Sequence, residues 1–170
     1  MANMFNACKR IQKIELNSWD TSSVTNMSSM FIYCTTLDTL LLPSFNLSNV
    51  TSFGDFATYC YSLVNFSVGD GNIHQSPNGD HTWTASNSVP ATSGSILSGS
   101  NGITNIYSFP SVSFSFSLKY DLLTVDSLLV VLNALPVVTS AKTITIGTTN
   151  KAKLTAEQLE IATNKGWTVA

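Results

Sequence analysis

At 170 residues the chain has the length of a single domain and can bury a sizeable core. Eight Lys and Arg against ten Asp and Glu leave a net charge of −2, and only 11% of residues are charged. That balance supplies neither the basic stripe that nucleic acid needs nor a cationic membrane face, and 44% hydrophobic content excludes a disordered chain. In place of charge stand 24 Ser, 20 Thr and 15 Asn, which hydrogen-bond without desolvating an ion.

The opening Met1-Ala2-Asn3-Met4-Phe5-Asn6 has no positive segment followed by an apolar core, so it does not read as a signal peptide. The longest apolar stretch, 125–138, is interrupted by Asp126, Ser127, Asn133 and Pro136, short of the ~20 residues a spanning helix needs. No membrane insertion by this segment is expected.

Cys8, Cys34 and Cys60 are evenly spaced, both intervals showing the same offset of 26. Their odd number excludes a self-contained disulfide set, and the lack of a CxxC pair argues against zinc or redox chemistry. The same offset aligns Met1 with Met27 and Phe53, Met4 with Met30 and Phe56, and Ile11 with Leu37 and Leu63. Ile14 then falls with Leu40 and Phe66, Leu16 with Leu42 and Val68, Trp19 with Phe45, and Val24 with Val50. So many registers at one offset define a repeat, with the cysteines as buried thiols at one repeated position.

Within each unit, Val24, Met27, Met30 and Phe31 are spaced like one face of a short helix, whereas Lys13 to Asn17 alternates like a strand. No such unit can bury its apolar face alone. The expectation is therefore an α/β solenoid of short helix–turn–strand units with a parallel sheet, built by residues 1–68 as three repeats. Cys8, Cys34, Cys60, Met4, Met30, Phe56, Leu37 and Leu63 are its expected structural core. Met1 aligns with Met27 inside a unit, so upstream repeats or another chain are expected to cover the first edge.

Residues 69–105 lose this pattern and are rich in Gly, Ser, Asn and Thr, which reads as an insertion or irregular connection. Order resumes over 106–170. Ser111 to Leu118 alternates strictly and predicts a strand. Thr124 caps a predicted helix whose Val125, Leu128, Leu129, Leu132 and Leu135 share one face, with Pro136 ending it. Thr143 to Gly147 reads as a strand. Thr155-Ala156-Glu157-Gln158 has capping-box form, with Leu154 and Leu159 as a staple, and leads a helix to a Gly166 C-cap. Trp167 to Val169 closes a strand–helix–strand–helix–strand order, a continuation and C-terminal cap of the stack.

The segment Trp19-Asp20-Thr21-Ser22-Ser23-Val24-Thr25-Asn26-Met27-Ser28-Ser29-Met30-Phe31, followed by Cys34 and Leu37, resembles the BspA-like leucine-rich repeats of bacterial surface proteins. Partial copies extend the resemblance over positions 1–68. The third departs from it, with Ala57 in place of Phe and Gly71 where Trp19 and Phe45 stand. The part from Leu123 through Trp167 is similar to the C-terminal parts of such proteins from gut bacteria and their phages. The resemblance implies a leucine-rich-repeat-like fold and a non-enzymatic binding or structural role: adhesion, receptor contact or scaffolding. It places the chain outside a bacterial cell or on a phage tail or fibre. Implied partners are a host surface protein or glycan, or other virion or surface subunits. No cofactor is implied.

No GxSxG, HExxH, GxxxxGK[ST] or GxGxxG motif is present. The outward strand positions Lys13, Glu15, Asn17, Thr39, Leu41, Asn65, Ser67, Ser113, Ser115, Thr143 and Thr145 form a hydroxyl- and amide-rich strip. It is the expected binding face, with Trp83 as an exposed ring beside it. Asp70, His74, Asp80 and His81 gather in the connection and form a candidate metal cluster. Two alternatives follow from them: a glycan hydrolase with Asp70 and Asp80 as acid and base, or a calcium-stabilised structural domain.

Overall fold

The computed structural model describes residues 1–69, 88–89, 96–112, 114–118 and 122–170. Three strands appear where the alternation predicts them: β1 (Lys13–Glu15), β2 (Thr39–Leu42) and β3 (Asn65–Val68). They pair in parallel at the repeat offset, Ile14 beside Leu40 and Leu40 beside Phe66. These three side chains are buried, so each strand turns its apolar row inward.

The predicted helix of each unit is absent. In its place the chain runs through successive tight turns, with positive φ at Asn3, Ser29 and Asp55 and again at Ala7, Tyr33 and Tyr59. Backbone N–H groups explain the difference. Asn6 and Cys8 donate within the unit to Asn3 and Phe5, as Ile32 and Cys34 do to Ser29 and Phe31. The alternate residues Asn3, Phe5 and Ala7 donate instead to Ser28, Met30 and Ile32 of the next unit, at 2.8–3.1 Å. A helix would spend every donor inside one unit; this ribbon spends half of them joining neighbours. An apolar spacing of three fits both turns and helix, and only the inter-unit bonding separates them.

A fourth unit lies where the sequence reads as an irregular connection. Strand β4 (Ser88–Val89) precedes it, and β5 (Asn105–Ser108) extends the first sheet to the order β1-β2-β3-β5. Asn105 pairs with Asn65, so this unit arrives at an offset of 40 rather than 26. Ala57 and Tyr59 donate to Ile96 and Ser98 as the earlier units donate forward. Gly99 holds φ 73 at the register of Ala7, Tyr33 and Tyr59. Residues 96–105 thus bond to the third unit as it bonds to the second, at an offset that hid the correspondence.

The predicted strand over 111–118 is divided. Strand β6 (Ser111–Val112) pairs with β4, and β7 (Phe116–Ser117) joins another sheet of order β7-β8-β9. Its partners are β8 (Lys142–Thr145) and β9 (Trp167–Val169), both parallel. Between them run α1 (Val125–Ala134), α2 (Gly147–Lys151) and α3 (Ala156–Thr163). The single-turn α2 is too short and polar to register in the apolar pattern. Thr124 caps α1 by accepting from the Ser127 N–H, and the Thr155–Gln158 capping box is present at both bonds.

Helix α1 closes the outer edge of the first sheet. The Ser127 hydroxyl accepts from the Ile106 N–H at 2.9 Å and donates to the Thr104 carbonyl at 3.0 Å. The Lys165 ammonium donates to the carbonyls of Leu132 and Asn133 at the other end of α1, and burial lowers its pKa. Helix α3 ends before Gly166, which does not serve as its cap. Gly166 instead turns the chain into β9 at φ 85, where an added Cβ would lie 2.6 Å from the Val138 carbonyl oxygen. Gly166→Ala is therefore expected to cost about 1–2 kcal/mol, read as a lower urea midpoint at unchanged slope.

One apolar cluster runs from Ile14 to Val169, with Met27, Met30, Phe31, Leu37, Phe45, Phe53, Phe56 and Leu63 fully buried. Met4 is a correction to the expected core: it is 53% exposed, although Met30 and Phe56 at its register are buried. It lies on the outer side of the first unit, where its neighbour Phe5 covers Phe31 instead, ring on ring at 5.2 Å.

Candidate functional site

Two rows of side chains repeat from unit to unit on the surface. The first is the expected strip on the strands. Lys13 and Glu15 are exposed and pair with each other at 3.1 Å, a surface contact worth under about 1 kcal/mol. Asn17 and Ser115 are exposed, and Thr39, Leu41, Asn65, Thr143 and Thr145 are half-buried. Much of the strip is internally bonded. The Asn105 amide donates to the Asn65 amide oxygen at 3.0 Å, and the Asn65 amide donates to the Thr39 hydroxyl at 3.3 Å. The Tyr107 hydroxyl donates to the same Asn65 oxygen, and the Ser115 hydroxyl accepts from the Thr143 N–H.

Ser67 is a correction. It is buried, not outward, and shares a 2.6 Å hydroxyl bond with Ser108. The β3–β5 register shifts between Phe66 and Ser67, where β5 carries Tyr107 as an extra residue, so Ser108 comes opposite Ser67 and covers it while β2 and β3 stay in register. Ser113, Trp83, Asp70, His74, Asp80 and His81 lie outside the described residues. Among the described residues no group of three His, Cys, Asp or Glu is placed to hold a metal ion.

Cys34 and Cys60 form one buried column, whereas Cys8 is a correction to the expected core: it belongs to the first unit and is only half-buried. The Cys34 thiol donates to the Phe5 carbonyl and the Cys60 thiol to the Phe31 carbonyl, at 3.0 and 3.1 Å. Ser100 continues the column, its hydroxyl donating to the Ala57 carbonyl at 2.8 Å while accepting from the Cys60 N–H. The Cys34 and Cys60 thiols therefore each give a second donor to a carbonyl of the preceding unit that already accepts a backbone N–H, tying neighbouring units together. The bond shared with Cys34, then burial, push the Cys60 thiol far above its ordinary pKa. In the folded protein at pH 8, iodoacetamide is expected to modify the half-buried Cys8 while sparing Cys34 and Cys60. Peptide mass mapping after a short pulse checks this; equal labelling of all three would contradict the buried column.

The second surface row is aromatic, and sequence reasoning missed it. Tyr33 and Tyr59 stack at 4.9 Å with an interplanar angle of 14°. Tyr61 lies beside Tyr59 at 6.1 Å. All three rings reach solvent. Below Tyr59 lies Gly99, where an added Cβ would come within 2.6 Å of the ring. The offset that aligned the cysteines also aligns Ala7, Tyr33 and Tyr59, each just before a cysteine, so the signal was available.

Taken together, the fold defines a mixed α/β protein with parallel sheets and a repeated surface. Residues 1–78 match the model of a family described as "Mycoplasma protein of unknown function, DUF285", a family associated with BspA-like surface repeat proteins. The remainder of the chain lies beyond that similarity. No curated protein and no solved structure matches the chain. Among the described residues no helix is long and apolar enough to cross a membrane.

Proposed function

We propose that the chain is a leucine-rich-repeat-like solenoid that serves as a non-enzymatic binding or structural module outside a bacterial cell or on a phage particle. Adhesion, receptor contact and scaffolding are the tasks such a module performs, through a host surface protein or glycan or through neighbouring surface subunits. The observation that carries this reading is the regular bonding of successive units. Lys13, Thr39 and Asn65 pair in register, Asn65 pairs onward with Asn105, and turn ribbons donate from each unit to the next. Stacking of that kind multiplies one surface position into a row, which is how repeat proteins build extended binding faces. The similarity of residues 1–78 to a family associated with surface repeat proteins supports the location. The low charge and abundant hydroxyl and amide groups suit an exposed surface that recognises polar ligands without desolvating ions.

The test is localisation followed by contact. Antibody raised against the purified chain is expected to label intact cells or virions from the source, and brief surface proteolysis is expected to remove the label. Signal only after lysis or particle disruption would overturn the exterior reading. Release of reducing ends from polysaccharides by the purified chain, abolished by Asp80→Asn, would overturn the non-enzymatic reading in favour of a hydrolase.

A further inference from the structure

The tyrosine row carries an inference that rests on, and deepens, the binding-module reading. Tyr33 and Tyr59 each hold φ 59, a left-handed backbone that is strained for a bulky side chain. Gly99 adopts the same conformation at the same register without that strain. Burial does not repay the two tyrosines, since Tyr33 is 43% and Tyr59 36% exposed. Ala7 shares the conformation, so the backbone belongs to the turn ribbon; what is particular to Tyr33 and Tyr59 is that their rings stack at the solvent surface.

The two ends of the row differ. One side of Tyr59 lies over Gly99, and its other side stacks on Tyr33. The outer face of Tyr33 turns toward the first unit, where the residue at its register is Ala7, at φ 55. Ala7 is exposed and carries only a methyl group, so no ring of the first unit stacks on Tyr33 at that register. Tyr59 and Tyr61, two places apart in the chain, project side by side at 6.1 Å. The matching pair in the first unit is Ala7 and Lys9, whose N–H donates to the Ala7 carbonyl at 2.8 Å as Thr35 does to Tyr33, so Lys9 leaves the backbone beside Ala7. Lys9 is exposed, forms no ion pair among the described residues, and is followed by exposed Arg10. The hydroxyls of Thr35 and Tyr61 lie at the Lys9 register in the next two units, while Asp38 and Asp55 occupy other registers.

The geometry points to a binding site for a carboxylated pyranose, the sugar unit of an acidic glycan. Its apolar C–H face stacks on the outer ring face of Tyr33 above Ala7, and its carboxylate pairs with Lys9. One exposed ring face with a lysine at the neighbouring register, set among hydroxyls, fits a single sugar better than a protein partner, whose interface needs roughly 800 Å² on each side around a buried apolar centre.

The test titrates the full chain with a galacturonate hexamer and, separately, with a neutral glucose hexamer, followed by calorimetry. The charged hexamer is expected to bind saturably and about tenfold more tightly than the neutral one. Tyr33→Ala is expected to weaken binding by about tenfold, whereas Tyr33→Phe, which keeps the ring, changes it less than about threefold. Lys9→Gln is expected to abolish the preference for the charged hexamer. Ala7→Tyr places a ring at the register that stacks on Tyr33 and is expected to abolish binding while leaving the circular dichroism spectrum unchanged. No saturable binding of the galacturonate hexamer by the folded chain overturns the proposal, as does undiminished binding by Tyr33→Ala. Surface labelling without hexamer binding overturns this site alone; hexamer binding without surface labelling overturns the exterior location alone.

Discussion

Replacing Phe56 by Ala is expected to destabilise the protein by about 3–5 kcal/mol, whereas Met4→Ala, at the same repeat register, is expected to cost under about 0.5 kcal/mol. Phe56 is fully buried, 4.3 Å from the Phe53 ring and 5.2 Å from the Phe31 ring. Those rings come from its own unit and from the preceding one, and removing Phe56 opens a cavity that the bonded backbones cannot collapse to fill. The Phe56 carbonyl accepts from the Phe31 N–H at 2.8 Å, which pins the two units at fixed separation. Met4 is 53% exposed and leaves no comparable void. Urea unfolding of both variants measures the contrast. Equal costs would mean that sequence register, not burial between neighbouring units, governs stability, and would contradict the stacking described above.

Ser127→Ala is expected to cost about 2–3 kcal/mol, large for the loss of one hydroxyl. Ser127 is buried, and its oxygen is the acceptor for the Ile106 N–H. The Thr104 carbonyl keeps the Thr124 N–H as a donor at 3.1 Å after the substitution, so Ile106 bears the main loss. A buried amide without an acceptor loses its whole desolvation energy, and Ala introduces none. Ser127 also tells how the first sheet ends. An uncovered parallel edge offers pairing groups to any passing strand, and here a helix N-terminus occupies that edge. Hydrogen exchange at the Ile106 amide is the direct measure: protection should fall in Ser127→Ala and remain in Thr155→Ala, which removes the cap of α3 instead. Unchanged protection at Ile106 would contradict the edge-closing role.

The contrast between Thr124 and Gly166 shows where local chemistry suffices. A threonine that caps through its own hydroxyl needs only the residues that directly follow it, so Thr124 and the Thr155–Gln158 box are readable in one dimension. Gly166 was legible as a special backbone position. Its task, passing beneath the Val138 carbonyl on the way into β9, depends on a residue from before β8. The candidate strip divides in the same way. Lys13, Glu15 and Asn17 are exposed as alternation predicts, whereas Ser67 is covered because a fourth strand, bulged at Tyr107, brings Ser108 opposite it.

By itself the amino-acid sequence determined the repeat period, the inward rows of β1, β2 and β3, and the N-terminal caps of α1 and α3. Each of these follows from side-chain spacing or from hydrogen bonds between near neighbours in the chain. Only the tertiary structure decided that the predicted helix of each unit is a turn ribbon, because its donors are divided between near carbonyls and those of the next unit. It alone placed residues 96–105 as a fourth unit, since pairing with β3 tolerates a longer connection that a fixed offset does not. It also set Tyr33 and Tyr59 face to face in solvent, where side chains one full repeat apart meet only after successive units have come into register.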